Sequence, residues 1–429
     1  MLPGIAIFGS GPMVQLLINY FHTNGFRLEA IWSPLSERAQ TISAENSIPI
    51  WSSSIDKILL QPSVQLIVIA CEPHFHNQIA SKACGIGKHV ICTWPPAYSL
   101  TEMYKMRNAA SNYPSLITLM LTALRFIPAF QLMKKLIIDD QLIGSVRAIN
   151  ANVMCDVFAI YNENSMIWDK HMGGGLLSLY GTNVIDVITY ITGLKASKVH
   201  GTMKNYIRLN PNDIIPNNAD DFVTFQMEMK TTNVENQLKV NNTFQQTIMA
   251  CVTLNGMHYN QFPAHDLIVY GSNGYLVCRN GNLYGKLRTS SGDQQSIDTL
   301  NNGGDGSSIS GSSISNEKEN IFYLDDIEML KHQQMRGLNV LPELYQRGLF
   351  NLVLALKNAF SSFQRQVSAK STDSQEMIED ESEIEDQIHW AKDPVHEAAN
   401  FDDGLYIQMV IEAIRNSSAQ QQWIRIENN

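Results

Sequence analysis

An apolar run, Ile5-Ala6-Ile7-Phe8, breaks directly into Gly9-Ser10-Gly11, and a second apolar stretch follows from Met13 to Phe21. Two glycines between a strand and a helix can cradle a phosphate. Gly9 makes the tight turn, Gly11 admits a pyrophosphate to the backbone, and the helix N-terminus faces its charge. The place for a third glycine holds Val14, so the fingerprint is incomplete, and a plain βα turn reads the same way. An acid for the ribose hydroxyls belongs at the end of the second strand, roughly 20 residues on. There the chain reads Trp32-Ser33-Pro34, and the first acid and arginine are Glu37 and Arg38, inside the next helix. His74 and His76 flank another strand end, where open α/β sheets take ligands. Gly173-Gly174-Gly175 either brings backbone close to a ligand or simply feeds a helix. Trp168 and Asp169, just before it, are candidates to line the same cleft.

These residues need a scaffold, and the bulk numbers bound it. At 429 residues the chain is comfortable for two domains, and 44% hydrophobic with 17% charged residues makes it globular. A formal net charge of −10 argues against a nucleic-acid partner or an anionic membrane surface. Much of it sits in residues 373–386, which carry eight acidic side chains and no basic one. No apolar run reaches membrane-helix length, so no membrane partner is expected. The six cysteines include no C-x-x-C pair and read as reduced, buried thiols, with no metal site. No cationic region precedes the first apolar stretch, so a cleaved signal is not expected. The expected compartment is the cytoplasm, the alternative being an extracellular location reached by an unconventional route.

Strand and helix signals alternate through the first part of the chain. Strands are expected at 5–8, 27–32, 48–51, 66–70, 89–92 and 117–121. Helices are expected at 13–21, 36–45 (from a Ser36 cap), 54–60, 76–85 and 100–110. This βα alternation predicts a Rossmann-type parallel sheet over residues 1–122. Residues 123–429 read as an α+β domain with a large, mostly antiparallel sheet. Its helices are expected at 130–138, 176–192, 341–360 and 401–416, the second a single helix ending at Gly193. Strand patterns cover 145–156, 221–229, 246–254, 265–270, 274–278, 281–284 and 422–426. Residues 289–320 and 367–386 are too polar to offset their ordering entropy and read as disordered insertions.

Several stretches share one order. After the glycine turn come Cys71-Glu72-Pro73-His74-Phe75-His76, Gly87-Lys88-His89-Val90-Ile91-Cys92, Gly173-Gly174-Gly175, and Tyr270-Gly271-Ser272-Asn273-Gly274. In this the chain resembles the Gfo/Idh/MocA family of NAD(P)-dependent sugar and polyol oxidoreductases. Met172, Gly181-Thr182, Ile185-Asp186, Thr224-Phe225-Gln226-Met227, Val252-Thr253-Leu254-Asn255 and Phe401-Asp402-Asp403 resemble its animal subgroup, the glucose-fructose oxidoreductase domain-containing proteins. The resemblance implies an NAD or NADP cofactor, bound weakly or not at all here. Gly9, Gly11, Ser33, Pro73, His74, Pro95 and Arg125 are its candidate contacts, and Trp168, Gly174 and Gly175 those of a sugar-like ligand. His76 then reads as a structural helix-start residue, Arg125 equally as an ion-pair residue, Asp186 as a polar contact at the domain junction, and Asp402-Asp403 as a solvated helix start.

The resemblance also implies three catalytic groups. A lysine before Pro95 would steady the developing alkoxide, and an Asp and a His four residues apart would place the substrate and remove its proton. Those places hold Trp94, Leu179 and Asn183. None of these side chains carries the charge or titrates as the step needs. The expected function is a weakly nucleotide-binding pseudoenzyme or interaction protein; the alternative is an active oxidoreductase with non-standard residues. A homo-dimer or larger assembly through the open face of the second-domain sheet is expected.

Overall fold

The computed structural model describes residues 2–156, 168–206, 218–231, 247–257, 264–288, 319–324, 341–370 and 390–426. The first sheet is all parallel, in the order β3-β2-β1-β4-β5-β6. Its strands are β1 (Gly4–Phe8), β2 (Arg27–Trp32), β3 (Ile50–Ser52), β4 (Leu66–Ile69), β5 (His89–Cys92) and β6 (Thr118–Met120). Five helices connect them: α1 (Pro12–Thr23), α2 (Ser36–Glu45), α3 (Ile55–Leu59), α4 (His76–Gly85) and α5 (Leu100–Ser111). Both faces of the central strands are buried. Ile5, Ile7, Leu66 and Val68 point into one core, Ala6, Phe8, Ile67 and Ile69 into the other. That is why these segments read as unbroken apolar runs.

After α6 (Pro128–Ile138) comes a nine-stranded sheet. It comprises β7 (Val146–Met154), β8 (Leu194–Lys204), β9 (Phe222–Thr231), β10 (Ile248–Asn255), β11 (Ala264–Gly271), β12 (Gly274–Arg279), β13 (Asn282–Leu287), β14 (Asn320–Tyr323) and β15 (Ile424–Arg425). Its order is β14-β13-β12-β11-β7-β10-β9-β8-β15, and every pair is antiparallel except β7–β10. Along β7, Ile149, Ala151 and Val153 face the core, while Ala148, Asn150 and Asn152 lie half-buried on the other face. The helices α7 (Thr182–Thr192), α8 (Glu343–Lys370) and α9 (Phe401–Gln420) complete the described fold.

Several expectations need correction. The helix foreseen over 176–192 runs unbroken to Gly193, but its first turn, Leu177–Gly181, is π-helical before it continues as α7. β8 was not foreseen; a bulge between Ala196 and Lys198 disrupts its alternation. α2 is not capped by Ser36, because the cap position is Leu35 and no side chain bonds there. The stretch 289–320 ends inside β14, pinned where Glu319 pairs with Arg279 at 2.5 Å and accepts from Tyr275 Oη at 2.9 Å. α8 runs to Lys370, four residues into 367–386, since Gln, Arg, Ala and Lys at its end favour helix. The remainder of both stretches lies outside the described residues.

Two long helices tie the sheets together. On α8, Phe350 packs edge-on against Tyr20 at 5.6 Å and Phe360 against His89 at 5.4 Å, both in the first sheet's layer. Tyr345 on the same helix meets His265 of β11 at 6.1 Å. α9 starts with a capping box between Asn400 and Asp403, and Asp402 pairs with Arg107 of α5 at 2.7 Å. Farther along, Tyr406 Oη accepts from Ala196 N–H of β8 at 2.8 Å. Asp402 and Asp403 are therefore structural groups rather than a merely solvated helix start. Between the sheets, buried Arg125 grips Asp186 of α7 with Nε and Nη2 at 2.6–3.1 Å. It also meets Asp403 at 3.3 Å and the Glu397 carbonyl at 3.3 Å. Burial penalises the guanidinium's charge, but Asp186 and Asp403 beside it more than offset that and hold it above its ordinary range.

Asp186→Ala leaves Arg125 charged, buried and short of its main partner. A loss of about 3–5 kcal/mol is expected in denaturant unfolding; a loss under about 1 kcal/mol would show that the junction rests elsewhere. His265 supplies a pH test. Neither ring nitrogen has a hydrogen-bond partner among the described residues, and burial pushes His265 from 6.5 down to about 4. The unfolded chain takes up this proton first, so stability is full above pH 6.5 and falls as pH drops toward 4. His265→Phe is expected to remove about 3 kcal/mol of that acid-side loss, measured as the difference in unfolding free energy between pH 7 and pH 4. His76, also lowered by burial, contributes to the same acid-side loss, as do Glu319 and Glu397, both held below their ordinary range by basic partners.

Candidate functional site

The strand order reverses between β1 and β4, so the carboxyl ends of these strands bound the crevice where such sheets take ligands. Gly9 sits at φ +148°, and a Cβ there would lie 2.2 Å from the Ala70 carbonyl oxygen. Only glycine lets β1 turn so close to the end of β4. Gly11 caps α1 and is exposed, with nothing within 4 Å of where a Cβ would project. That open cradle before a helix N-terminus fits a pyrophosphate. Pro12, which a reading of the glycines alone passes over, reduces the donors. It occupies the first helical position without an N–H, and Val14 N–H is already bonded to Gly11 O at 3.0 Å. At the end of β2, fully buried Ser33 accepts from Leu35 N–H at 3.2 Å and donates to Ser10 Oγ at 2.9 Å. A hydroxyl pair stands where ribose recognition places a carboxylate.

Beyond β4, exposed His74 lies with its ring 4.0 Å from that of Phe75, which packs edge-on against Trp32 at 5.1 Å. His76 is fully buried, with its ring nitrogens 3.1 Å from Pro96 O and 3.0 Å from Cys71 O. Its structural assignment agrees with this geometry. Pro73 and Pro95, at the ends of β4 and β5, face the glycine loop of the second half of the chain. A Cβ on Gly173 would lie 2.9 Å from Pro73 Cγ and 3.1 Å from Pro95 Cγ. The loop thus closes the crevice from the opposite side.

Trp94 is half-buried between the two cores, and its buried indole Nε1 finds no acceptor among the described residues. Thr122, two residues past β6, is fully buried, and its Oγ1 also finds no partner among them. Leu179 lies on the π-helical turn, half-buried against the core. Asn183 turns its amide back onto that turn, donating to Leu179 O at 3.0 Å, as Thr182 Oγ1 donates to Ser178 O at 2.9 Å. A π turn misaligns the carbonyl ladder, and these two side chains satisfy carbonyls along it. Asn183 therefore has a local structural task that a sequence pattern does not reveal.

Gly174 is buried, its N–H bonded to Asp169 O at 3.0 Å. Gly175 has φ +97°, and a Cβ there would meet Asp220 Oδ1 at 2.2 Å. The Asp220 carboxylate accepts from Leu177 N–H at 2.8 Å and so caps the π turn. Burial raises this carboxyl, while the N–H works against the rise. No motif signals Asp220. Two expected cleft residues lie elsewhere. Trp168 is 3% exposed and belongs to the core, where its carbonyl accepts from Asn218 and Ala219 N–H. Arg125 is committed to the junction pairs described above, which ties it to Asp186 rather than leaving it open to a ligand.

Comparison with known proteins adds ancestry to this geometry. Residues 4–119 match the profile of the oxidoreductase family with the NAD-binding Rossmann fold, GFO/IDH/MocA, and residues 130–277 match the GFO/IDH/MocA C-terminal domain. The chain is 33% identical over 430 residues to glucose-fructose oxidoreductase domain-containing protein 2 of Xenopus laevis, covering 99% of this chain and 94% of that protein. Levoglucosan dehydrogenase, solved with NADH and levoglucosan, superposes with a TM-score of 0.70 at 18% identity over 100% of both chains. A super-repressor mutant of Gal80p from Saccharomyces cerevisiae superposes with a TM-score of 0.66 at 13% identity, covering 100% of this chain and 98% of that one.

Gly175→Ala forces a side chain into a left-handed backbone and onto a carboxylate. It is expected to destabilise the protein by roughly 2–3 kcal/mol, read from the urea midpoint. Adding Asp220→Ala should recover none of the backbone strain but relieve the clash, so the two substitutions are expected to be non-additive. Strict additivity would mean that Asp220 does not shape the loop.

Proposed function

The chain belongs to the GFO/IDH/MocA oxidoreductase family, and from that premise we propose that it is a dinucleotide-binding member without turnover of sugars or polyols. The observation that carries this reading is the trio Trp94, Leu179 and Asn183. Hydride transfer from a sugar carbon needs a base for the hydroxyl proton and a cation for the alkoxide. At the three family positions stand an indole, an isobutyl group and an amide, none of which takes up a proton at neutral pH. Each is also occupied locally: Trp94 between two cores, Leu179 against the core, and Asn183 on the Leu179 carbonyl.

The cradle side favours retained, weak binding of NAD or NADP. Gly9 and Gly11 keep the turn and the open approach, while Pro12 removes a donor and Ser33 replaces a carboxylate. The nicotinamide end, bounded by Pro73, His74 and Pro95, would be covered by the glycine loop. Levoglucosan dehydrogenase is solved with NADH on the same fold, and Gal80p, whose mutant is described as a super-repressor, shares that fold. The chain then acts as an interaction module whose cleft senses a nucleotide, and it pairs with a second copy through the half-buried open face of the nine-stranded sheet. Among the described residues no helix is long and apolar enough to cross a membrane.

Calorimetry of the full chain is expected to give dissociation constants in the micromolar to millimolar range with NAD(H) or NADP(H). Gly11→Asp, which puts a side chain and a charge into the pyrophosphate's place, is expected to abolish binding. A polyol and sugar panel is expected to show no reduction of NAD(P)+ above background, since general base and alkoxide stabilisation each contribute roughly 10²-fold or more. Reduction at ordinary enzyme rates would overturn the reading and make His74 the first base to replace.

A further inference from the structure

One edge of the nine-stranded sheet ends on β14, and both connections of that strand run outside the described residues. Residues 289–318 lead into it and residues 325–340 lead out, so nothing described joins β14 to the chain whose β13 it pairs with. Residues 319–324 are held as a separate segment would be. Arg279 grips the Glu319 carboxylate as a fork, Nη1 and Nη2 reaching its two oxygens at 2.5 and 3.1 Å, and Tyr275 Oη donates to it at 2.9 Å. The guanidinium lies 5.6 Å over the Tyr284 ring, which fixes the fork. Three residues on, Phe322 falls at the register shift of β14, and its ring sits beside Gly285, where a Cβ would lie 3.0 Å from Phe322 Cε2. The ladder is short: Asn320, Ile321 and Tyr323 face Gly285, Tyr284 and Leu283. A fork for an acid, a seat for an aromatic and a strand edge are the parts of recognition by strand addition. The hold is slight. The ion pair is 42% and 27% exposed, and such pairs contribute little. Ile321 is 61% exposed, on the same open face as Tyr275 and Arg279.

We propose that Glu319–Leu324 is exchanged between two copies of this chain, each copy's segment seating on the β12–β13 edge of the other. This rests on the pairing of copies through the open face proposed above. Chain length permits the exchange. Residues 325–340 span about 50 Å when extended, and residues 289–318 about 100 Å, against a small-domain diameter of about 30 Å. In a lone chain the tethers favour its own segment through high local concentration. Once two copies meet through the open face, the second edge lies within the same reach and that advantage falls away. The chemistry of the edge selects this occupant. The fork requires a carboxylate with an aromatic three residues later, and Glu319-Asn320-Ile321-Phe322 supplies both in that order. A second copy on the open face also covers Ile321. Exchange remakes the same contacts, so its effect is on persistence: two copies cannot separate until both segments have left their seats.

The test uses the full chain in two differently tagged, co-expressed forms, one with Arg279→Glu and the other with Glu319→Arg. Alone, each form has like charges where fork and segment meet. In a mixed pair, exchange restores opposite charges at both forks, whereas segments kept in their own chains restore neither. Native mass spectrometry is expected to show the ratio of mixed to like pairs raised about five-fold above the statistical value. A statistical mixture overturns exchange. A second measurement leaves the fork in place and decides alone if a charge variant fails to fold. Tyr284 and Ile321 face each other across β13 and β14, at a separation a disulfide can span. With Tyr284→Cys on one tagged chain and Ile321→Cys on the other, oxidised glutathione is expected to link the two tags, and neither variant links to a wild-type chain. Both substitutions in one chain give a covalent dimer under exchange and an internally closed monomer without it. Dimers whose segments close only within their own chain overturn exchange while the pairing of copies stands. Monomers in light scattering at micromolar concentration overturn the pairing and the exchange together.

Discussion

Arg125 joins the two halves of the molecule, and the shape of the crevice depends on it. Its guanidinium sits just past the last strand of the parallel sheet, clasping Asp186 of α7 in two-pronged fashion and touching Asp403 of α9. A buried ion pair is weak evidence for stability by itself, because desolvation consumes much of its Coulomb energy. It is strong on geometry: a planar fork accepts a carboxylate in one arrangement. The direction of α7 is therefore set relative to the strand ends. The Gly173 loop that precedes this helix lies against Pro73 and Pro95. α8 and α9 add apolar packing on either side of the parallel sheet, which fixes distance; the ion pair fixes orientation.

The crevice that results is built for close backbone approach at Gly9, Gly173 and Gly175. Asp220 shows how this arises. Its carboxylate occupies the space a Cβ at Gly175 would take and caps the π turn. One glycine of the triple run is thereby explained by an intrachain carboxylate, with no sugar invoked. Asn183 is explained likewise by the Leu179 carbonyl. The open cradle at Gly11 has no such internal explanation; it lies on the parallel sheet, whereas the groups explained from within lie on the second half of the chain.

This division also marks what the sequence disclosed. β2, α4 and β5 begin and end where their residues say, because buried parallel strands are apolar throughout and their helices carry local stop signals such as Gly85. The replacements at Trp94, Leu179 and Asn183 are visible because motif spacing survives around them. Other features depend on partners distant in the chain. Arg125 and Asp186 are 61 residues apart, and Arg107 and Asp402 are 295 apart, so no window shows either pairing. The π turn has no residue signature, since it is one extra carbonyl step inside an apolar helix pattern. Trp168 read as a cleft residue because it precedes the glycines, yet an aromatic of that size beside a core is more stable inside it.

Trp94, Leu179 and Asn183, on which the proposed reading rests, are also tied into the fold. A lysine in place of Trp94 would bring a charge to a position between two apolar cores and withdraw an aromatic ring from both. A histidine in place of Asn183 would leave the Leu179 carbonyl without its side-chain donor on a turn whose ladder is already irregular. Each single reversion therefore weakens packing or hydrogen bonding before it contributes any catalysis. On the proposed reading, repacking around Trp94 and the π turn would have to accompany any such substitution.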